Sequence, residues 1–464
     1  MNEAEAIFGN SVKIISEGKR HLGAVIGSKE YKDEYCEQLV SVWEDELDTL
    51  AKIAKSQPQA AYIALTKAYR SKFTYFMRTI DSFEEYVSPV DTLLNEKFVP
   101  IIFGEDTPFE QPFMDLLSLS PTNGGLGIPS LKNDSALQHE TSKAVTENHV
   151  NSIISQSVVM LQGETPVDAI KKEYQVKKKA TIKQRIEIVD NALPVETLRS
   201  VQQGRDKGAS SWLNAIPFED KGLYLNKQEF RDSLRLRYNI RLKDLPSKCA
   251  CGEPFSVDHA LICKKGGFVA QRHDNIKNLL VSSLAKVCKN VESEPHLQPL
   301  DNETFTFRTA NTSEEARLDI KAGGFWSKGV NAFFDVRVSH INSPSNQNRT
   351  TKQIFKSHEQ EKKRFYNQRI LDVEQGNFTP LVFGTNGGIG EEGNRFLRRL
   401  SELLSVKENE TYAHIMTWLR TKLSFEILKS VHLSVRGART PFKKTVVNNE
   451  VVEDFALNVI NAGL

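Results

Sequence analysis

The chain has 464 residues, with 61 Lys and Arg against 59 Asp and Glu and a formal net charge of +2. So even a balance excludes naming a nucleic-acid partner from charge alone, while 39% hydrophobic residues exclude a chain disordered throughout and allow roughly two to four domains. No run reaches the ~20 apolar residues of a membrane span, and the opening MNEAEAIFGNSVKIISEG lacks a signal-peptide profile, so an intracellular protein without a membrane is expected.

Residues 1–30 read as strands about a tight turn, KRHLGAVIGS, which ends at Gly27-Ser28. From Glu34 to about Thr79 the pattern is helical, with Leu39, Val42, Trp43, Leu47, Leu50 and Ile53 at helical spacing. A further helix is expected over Val90 to Ile102, after Pro89, and MDLLSLSPTNGGLGIPSL then reads as a loop that closes a first domain at residue 130. Residues 131–245 read as polar helices, and KKEYQVKKKATIKQR carries seven cations against one Glu: Lys171, Lys172, Lys177, Lys178, Lys179, Lys183 and Arg185. Such a run is a solvated helix face or a phosphate-binding surface. Trp212 and Phe218 nearby are core residues or stacking platforms.

CACGEPFSVDHALIC holds three of the five cysteines, while Cys36 and Cys288 lie far from it, so no disulfide framework is implied. Cys249 and Cys251 come from one tight turn freed by Gly252, and His259 and Cys263 follow about one helical turn apart. This set can close a tetrahedral Zn²⁺ site, structural rather than catalytic because four protein ligands fill it. Three buried thiols and a hydrogen-bonded histidine are the alternative.

Beyond the cluster a helix is expected from Phe268 to Val287, with Arg272 and His273 as helix-start or nucleic-acid contacts, then strands from Phe305 to Ser339. Alternation in FFDVRV puts Asp335 and Arg337 on one face and Phe334, Val336 and Val338 on the other. Asp319 is the natural second carboxylate across a hairpin turned at Gly323-Gly324, and two such carboxylates suit Mg²⁺. A helix over Lys352 to Ile370 aligns Glu359, Lys363 and Tyr366 on one face. The alternative is an ordinary ion-pair network with a solvated helix. A strand TPLVFG and helices to about Leu433 complete the module, and 440–464 reads as a tail. Gly388, Gly390 and Gly393 in GIGEEG imitate a dinucleotide fingerprint, but Glu391 and Glu392 would face the phosphates, so this is read as a loop.

Taken in order, EGKRHLGAVIG resembles the palm segment after the catalytic aspartates of non-LTR retrotransposon reverse transcriptases, and LSLSPTNGGLGIPSL resembles the end of their thumb. The cysteine cluster and acidic strands resemble the branch of those elements that carries a restriction-like PD-(D/E)xK endonuclease. The resemblance implies a multidomain α+β chain: palm remnant 1–30, helical thumb-like domain 31–130, helical basic linker 131–245, zinc knuckle 246–267, an α/β restriction-endonuclease-like domain 268–439 with a central mixed sheet, and tail.

It further implies Zn²⁺ on Cys249, Cys251, His259 and Cys263, catalytic Mg²⁺ on Asp319 and Asp335, and Glu359, Lys363 and Tyr366 on the helix that bears the catalytic lysine. Target DNA and element RNA are the implied partners, with no small-molecule substrate, and the nucleus is the implied address. Three positions depart from the pattern. Leu318 stands where the family has Pro, Arg337 replaces the strand lysine, and three residues rather than four separate His259 from Cys263. Arginine stays protonated and cannot carry a proton, so Lys363 would have to serve. The signature of an aromatic residue followed by two aspartates is missing, so DNA synthesis is not expected, and a non-catalytic nucleic-acid-binding remnant is the alternative function.

Overall fold

A computed structural model describes residues 15–157, 166–298 and 317–437. The expected tail and the first part of the palm-like segment lie outside the described residues, as does the start of the strand region after Phe305. Strands β1 (Gly18–His21) and β2 (Ala24–Gly27) pair antiparallel. Leu22 and Gly23 both take positive φ, 50° and 86°, the backbone that a two-residue hairpin turn requires.

Helix α1 (Lys29–Ala54) starts where the Ser28 side chain accepts from the Tyr31 amide. Its buried stripe is Cys36, Val40, Trp43, Leu47, Leu50 and Ala54. Val42 and Ile53, expected to face inward, are exposed, because the stripe is set by small and sulfur-bearing residues as well as by the large ones. Trp43 is fully buried, with Phe73, Phe76 and Phe83 ring centroids 4.8, 5.2 and 5.8 Å away. Helices α2 (Pro58–Ile63), α3 (Arg70–Thr79), α4 (Ser88–Leu93), α5 (Val99–Phe103) and α6 (Gln111–Ser118) follow, with π turns at Ala64–Tyr69 and Leu94–Phe98.

Next come α7 (Leu131–Ser155), α8 (Pro166–Ala192), α9 (Val195–Gly204) and α10 (Lys227–Arg237). The core that starts at Cys36 runs without a break through Leu131 to Val201, Trp212, Phe230 and Tyr238. The expected boundary at 130/131 therefore does not separate two cores. The glycine-rich loop is locked to α10 instead: Tyr238 Oη donates to Gly124 O at 3.0 Å and Arg237 Nη2 to Pro121 O at 2.8 Å.

The rest of the chain is α11 (Val257–Ile262), α12 (Phe268–Ala285), β3 (Lys289–Ser293), β4 (Ile320–Gly323), β5 (Asn331–Ser339), α13 (Thr351–Asp372), β6 (Asn377–Gly384), α14 (Glu391–Glu408) and α15 (Tyr412–Arg436). Four strands form one mixed sheet in the order β3-β4-β5-β6, antiparallel except for the β5–β6 pair. Parallel strands need a long crossover, and α13 supplies it. One sheet face packs Phe334, Val336, Leu381 and Phe383 against Ile276 of α12, Phe396 of α14 and Leu419 of α15. On the other face Phe333 and Phe378 meet Tyr366 and Ile370 of α13. The sequence thus folds as mixed α/β, largely helical, with a four-stranded mixed sheet and a small Cys/His cluster.

Candidate metal centre and carboxylate site

Lys248 and Pro254 bridge across a tight turn in which the Gly252 amide donates to Cys249 O at 2.9 Å and the Cys249 amide to Glu253 O at 2.9 Å. Gly252 sits at φ 98°, a conformation costly for any residue with a Cβ. The Ser256 hydroxyl accepts from the His259 amide at 3.0 Å and so starts α11, which carries His259 in its first turn and ends at Cys263. The four ligand atoms of Cys249, Cys251, His259 and Cys263 lie within 4.8 Å of one another.

Two thiolates on a tetrahedral Zn²⁺ at ~2.3 Å stand about 3.8 Å apart. The Cys249 and Cys263 sulfurs are 3.8 Å apart, and Cys251 Sγ is 3.2 Å from His259 Nε2, close to the sulfur–nitrogen edge. The donor set therefore fits a metal such as zinc. Hydrogen bonding from the Cys251 amide, helped by the His259, Cys251 and Cys263 side chains, draws the Cys249 thiol down to about 6.

Asp319 immediately precedes β4, and its amide donates to Phe334 O of β5 at 3.2 Å. Its carboxylate accepts from the Val336 amide at 2.6 Å, and Oδ2 is 3.1 Å from His273 Nε2 of α12. The Asp319 hydrogen bond is the largest influence holding the His273 imidazole above its ordinary value. His273 Nδ1 in turn lies 3.2 Å from Asp274 Oδ1.

Asp335 is 6% exposed on the neighbouring strand. Lys362 Nζ donates to its Oδ1 at 3.1 Å and lies 3.0 Å from its Oδ2, which has no hydrogen-bond partner among the described residues. Desolvation pushes the Asp335 carboxyl up to about 6; Lys362 opposes that rise and Asp319 adds to it. The alternation of β5 thus places Asp335 and Arg337 on the α13 side and Phe334 and Val336 on the other.

The expected helix residues are distributed differently. Arg337 Nη1 donates to Glu361 Oε2 at 2.8 Å, away from Asp335. Lys363 pairs with Glu392 instead of approaching either aspartate. Tyr366 is buried with its ring 5.5 Å from Phe378 and with Lys362 Nζ 5.5 Å over it, so it packs in the core beneath the lysine that holds Asp335. The Glu359 carboxylate accepts from the Glu392 amide at 3.0 Å, and desolvation raises its pKa. It occupies the N-terminal end of α14, where a Cβ on Gly390 would collide with it. Gly390 of GIGEEG therefore makes room for a protein carboxylate at a helix start. Lys362 was not singled out in the sequence; its one-residue offset from Lys363 is enough to turn it to the sheet.

The basic run divides by its period. Lys172, Lys179 and Lys183 share an outer stripe, and Lys171 and Lys177 are exposed as well. Lys177 pairs with Glu173 at 2.8 Å. Lys178 and Arg185 turn inward to a cavity of about 510 Å³ that Arg70 and Asp134 also line, and Arg185 Nη2 donates to Ser118 Oγ at 2.6 Å. Arg272, expected at the surface, is 2% exposed and donates to Leu261 O at 3.1 Å, so it holds α12 under α11. Trp212 is buried against Phe230, and Phe218 is exposed with Lys221 5.2 Å over its ring. Among the described residues no helix is long and apolar enough to cross a membrane. No protein-family model matches the chain, and no curated protein matches it.

Proposed function

We propose that the chain binds nucleic acid and nicks DNA in a Mg²⁺-dependent reaction, as the C-terminal part of a non-LTR retrotransposon protein would in the nucleus. The observation that carries this reading is the pair Asp319, just before β4, and Asp335, on the adjacent β5, with Lys362 reaching Asp335 from α13. A hard cation would suit Asp335: it is buried, its Oδ2 has no hydrogen-bond partner among the described residues, and desolvation pushes its carboxyl up to about 6 despite Lys362.

Mg²⁺ held by the two aspartates supplies, when bound, Lewis-acid polarisation of the phosphodiester and a more acidic water. His273 and the Val336 amide fix the Asp319 carboxylate. Lys362 carries a positive charge beside the aspartates, placed to offset charge that builds on the phosphate in the transition state. Zinc on the four-residue cluster would act as a staple with no open position. Lysines along α8 would contact phosphates without reading sequence.

A binder without catalysis is the second reading, and the diversion of Arg337 to Glu361 and of Lys363 to Glu392 favours it. Supercoiled plasmid incubated with the purified chain separates the two. The endonuclease reading expects nicking that requires Mg²⁺ and falls more than about a hundredfold in Asp319→Ala and Asp335→Ala. A folded, zinc-loaded chain that shifts plasmid on a gel and never nicks it leaves the binder.

A further inference from the structure

A cavity of about 1100 Å³ opens between α10 and the chain after it, α11, and the carboxyl ends of β5 and β6. Ligands of open α/β sheets bind beyond the carboxyl ends of parallel strands, and β5 and β6 are the parallel pair here. The cavity is remote in chemistry from the aspartate pair: its floor is His340 and Thr385, the residues that directly follow those two strands.

His340 is 7% exposed and held from both sides, Nε2 2.8 Å from Asp258 Oδ1 and Nδ1 3.1 Å from Thr385 Oγ1. Asp258 is the neighbour of His259, so the cysteine-histidine turn forms one wall. Across the floor, Gln203 Nε2 donates to Asn342 Oδ1 at 2.6 Å. Arg199 Nε also donates to Asn342 Oδ1, at 3.2 Å, and the return bond, Asn342 Nδ2 to Gln203 Oε1, is 3.5 Å long, so Asn342 Nδ2 and Gln203 Oε1 are the weakly held donor and acceptor that a stronger partner could take. Apolar surfaces from Ile240, Leu242, Phe255 and Leu261 face the same space; at its rim Lys243 is paired with Glu105 at 2.9 Å, and the exposed Arg241 stands beside it as the cation that would meet a ligand.

Apolar walls that include the Phe255 ring, an amide pair that can both donate and accept, and Arg241 at the mouth match a heteroaromatic base carrying a phosphate. We propose that this cavity holds one unpaired nucleotide, its base against the Gln203–Asn342 edge and its phosphate toward Arg241. The inference rests on the nucleic-acid reading and deepens it, by naming a place where an unstacked base is recognised.

The test uses the full chain, zinc-loaded, titrated with each of the four ribonucleoside 5′-monophosphates and with ribose 5-phosphate. At least one nucleotide is expected to bind saturably, roughly tenfold more tightly than ribose 5-phosphate. Asn342→Leu should weaken it roughly tenfold, and Arg241→Ala, at an exposed position that spares folding, should weaken it about threefold. Ribose 5-phosphate binding as well as the nucleotides, or no saturation by any of them, overturns the proposal. Plasmid binding, followed in parallel, separates the two ideas. A chain that shifts and nicks plasmid while no nucleotide saturates it loses the pocket and keeps the proposed function. A chain that binds a nucleotide in this way yet ignores plasmid keeps the pocket and loses that function.

Discussion

Lys362 and Lys363 are adjacent on α13, yet one faces the sheet and the other faces α14. A turn of about 100° per residue separates them, which periodicity alone could not resolve, since either register of the helix left one lysine inward. Replacing Lys362 with Ala is expected to lower nicking about a hundredfold by removing the cation beside Asp335, whereas Lys363→Ala should stay within about threefold. Equal losses in single-turnover plasmid assays would refute that division. Asp206, half-buried beside Asn386, is another carboxyl that the fold perturbs. Desolvation raises it from 3.8 to about 6, against the opposing hydrogen bonds of Asn386 and Thr351. The folded state therefore holds this proton more tightly than the unfolded chain does. Its contribution favours folding fully below about pH 4 and is lost as pH rises through about 6, where the charged form becomes a cost of up to about 3 kcal/mol. Asp206→Asn should raise the thermal midpoint relative to wild type at pH 8 and leave it unchanged at pH 4. A gain of equal size at both values would show that the proton is not the cause.

At the scale of elements, the cysteine-histidine turn shows what spacing can reveal. Cys249 and Cys251 close one turn, and His259 and Cys263 flank one turn of helix, so local geometry alone brought four ligands together. The pairing of Asp258 with His340 spans 82 positions and had no local sign. The same contrast holds for strands: the apolar alternation of β5 was legible, but KNVES of β3 is a polar strand at the sheet edge with little to mark it. Around the turn, among the described residues, Leu242, Ala260 and Val435 form a small buried cluster with Leu236, Leu245, Phe255 and Val257 partly buried against it, a core that a metal would brace. Cys249→Ser and Cys263→Ser should each abolish bound zinc, read by elemental analysis, and expose α11 to protease, while far-ultraviolet circular dichroism keeps the signal of the helical core. Full zinc retention in both variants would overturn the ligand assignment. Gly252→Ala is milder, with open space around it and only its positive φ to resist, so a loss of about 1 kcal/mol is expected.

Across the whole molecule, α15 ties the parts together: Phe425 enters the helical core, Leu419 and Leu423 pack on the sheet side, and Arg436 grips Asp232 of α10 at 2.8 and 3.1 Å. Composition gave no hint of this, because a separate linker and a continuous core have the same residues; only the partners differ. Helix α8 lies on the rim of this body, with Lys172, Lys179 and Lys183 outward and Lys178 and Arg185 committed to the inner cavity. If the outer stripe meets a phosphate backbone, each lysine that does so releases counterions, and the slope of log K against log salt records the number. Changing the three outer lysines to Gln should flatten that slope by about 0.9 for every phosphate that is no longer neutralised, with fluorescence anisotropy of a labelled duplex as the readout. Changing Arg185 should leave the slope alone and lower thermal stability, because its guanidinium is bonded to Ser118 and lies beside Asp134. A slope untouched by the triple change would make the outer face of α8 merely solvated and would move the phosphate-binding surface elsewhere on the molecule.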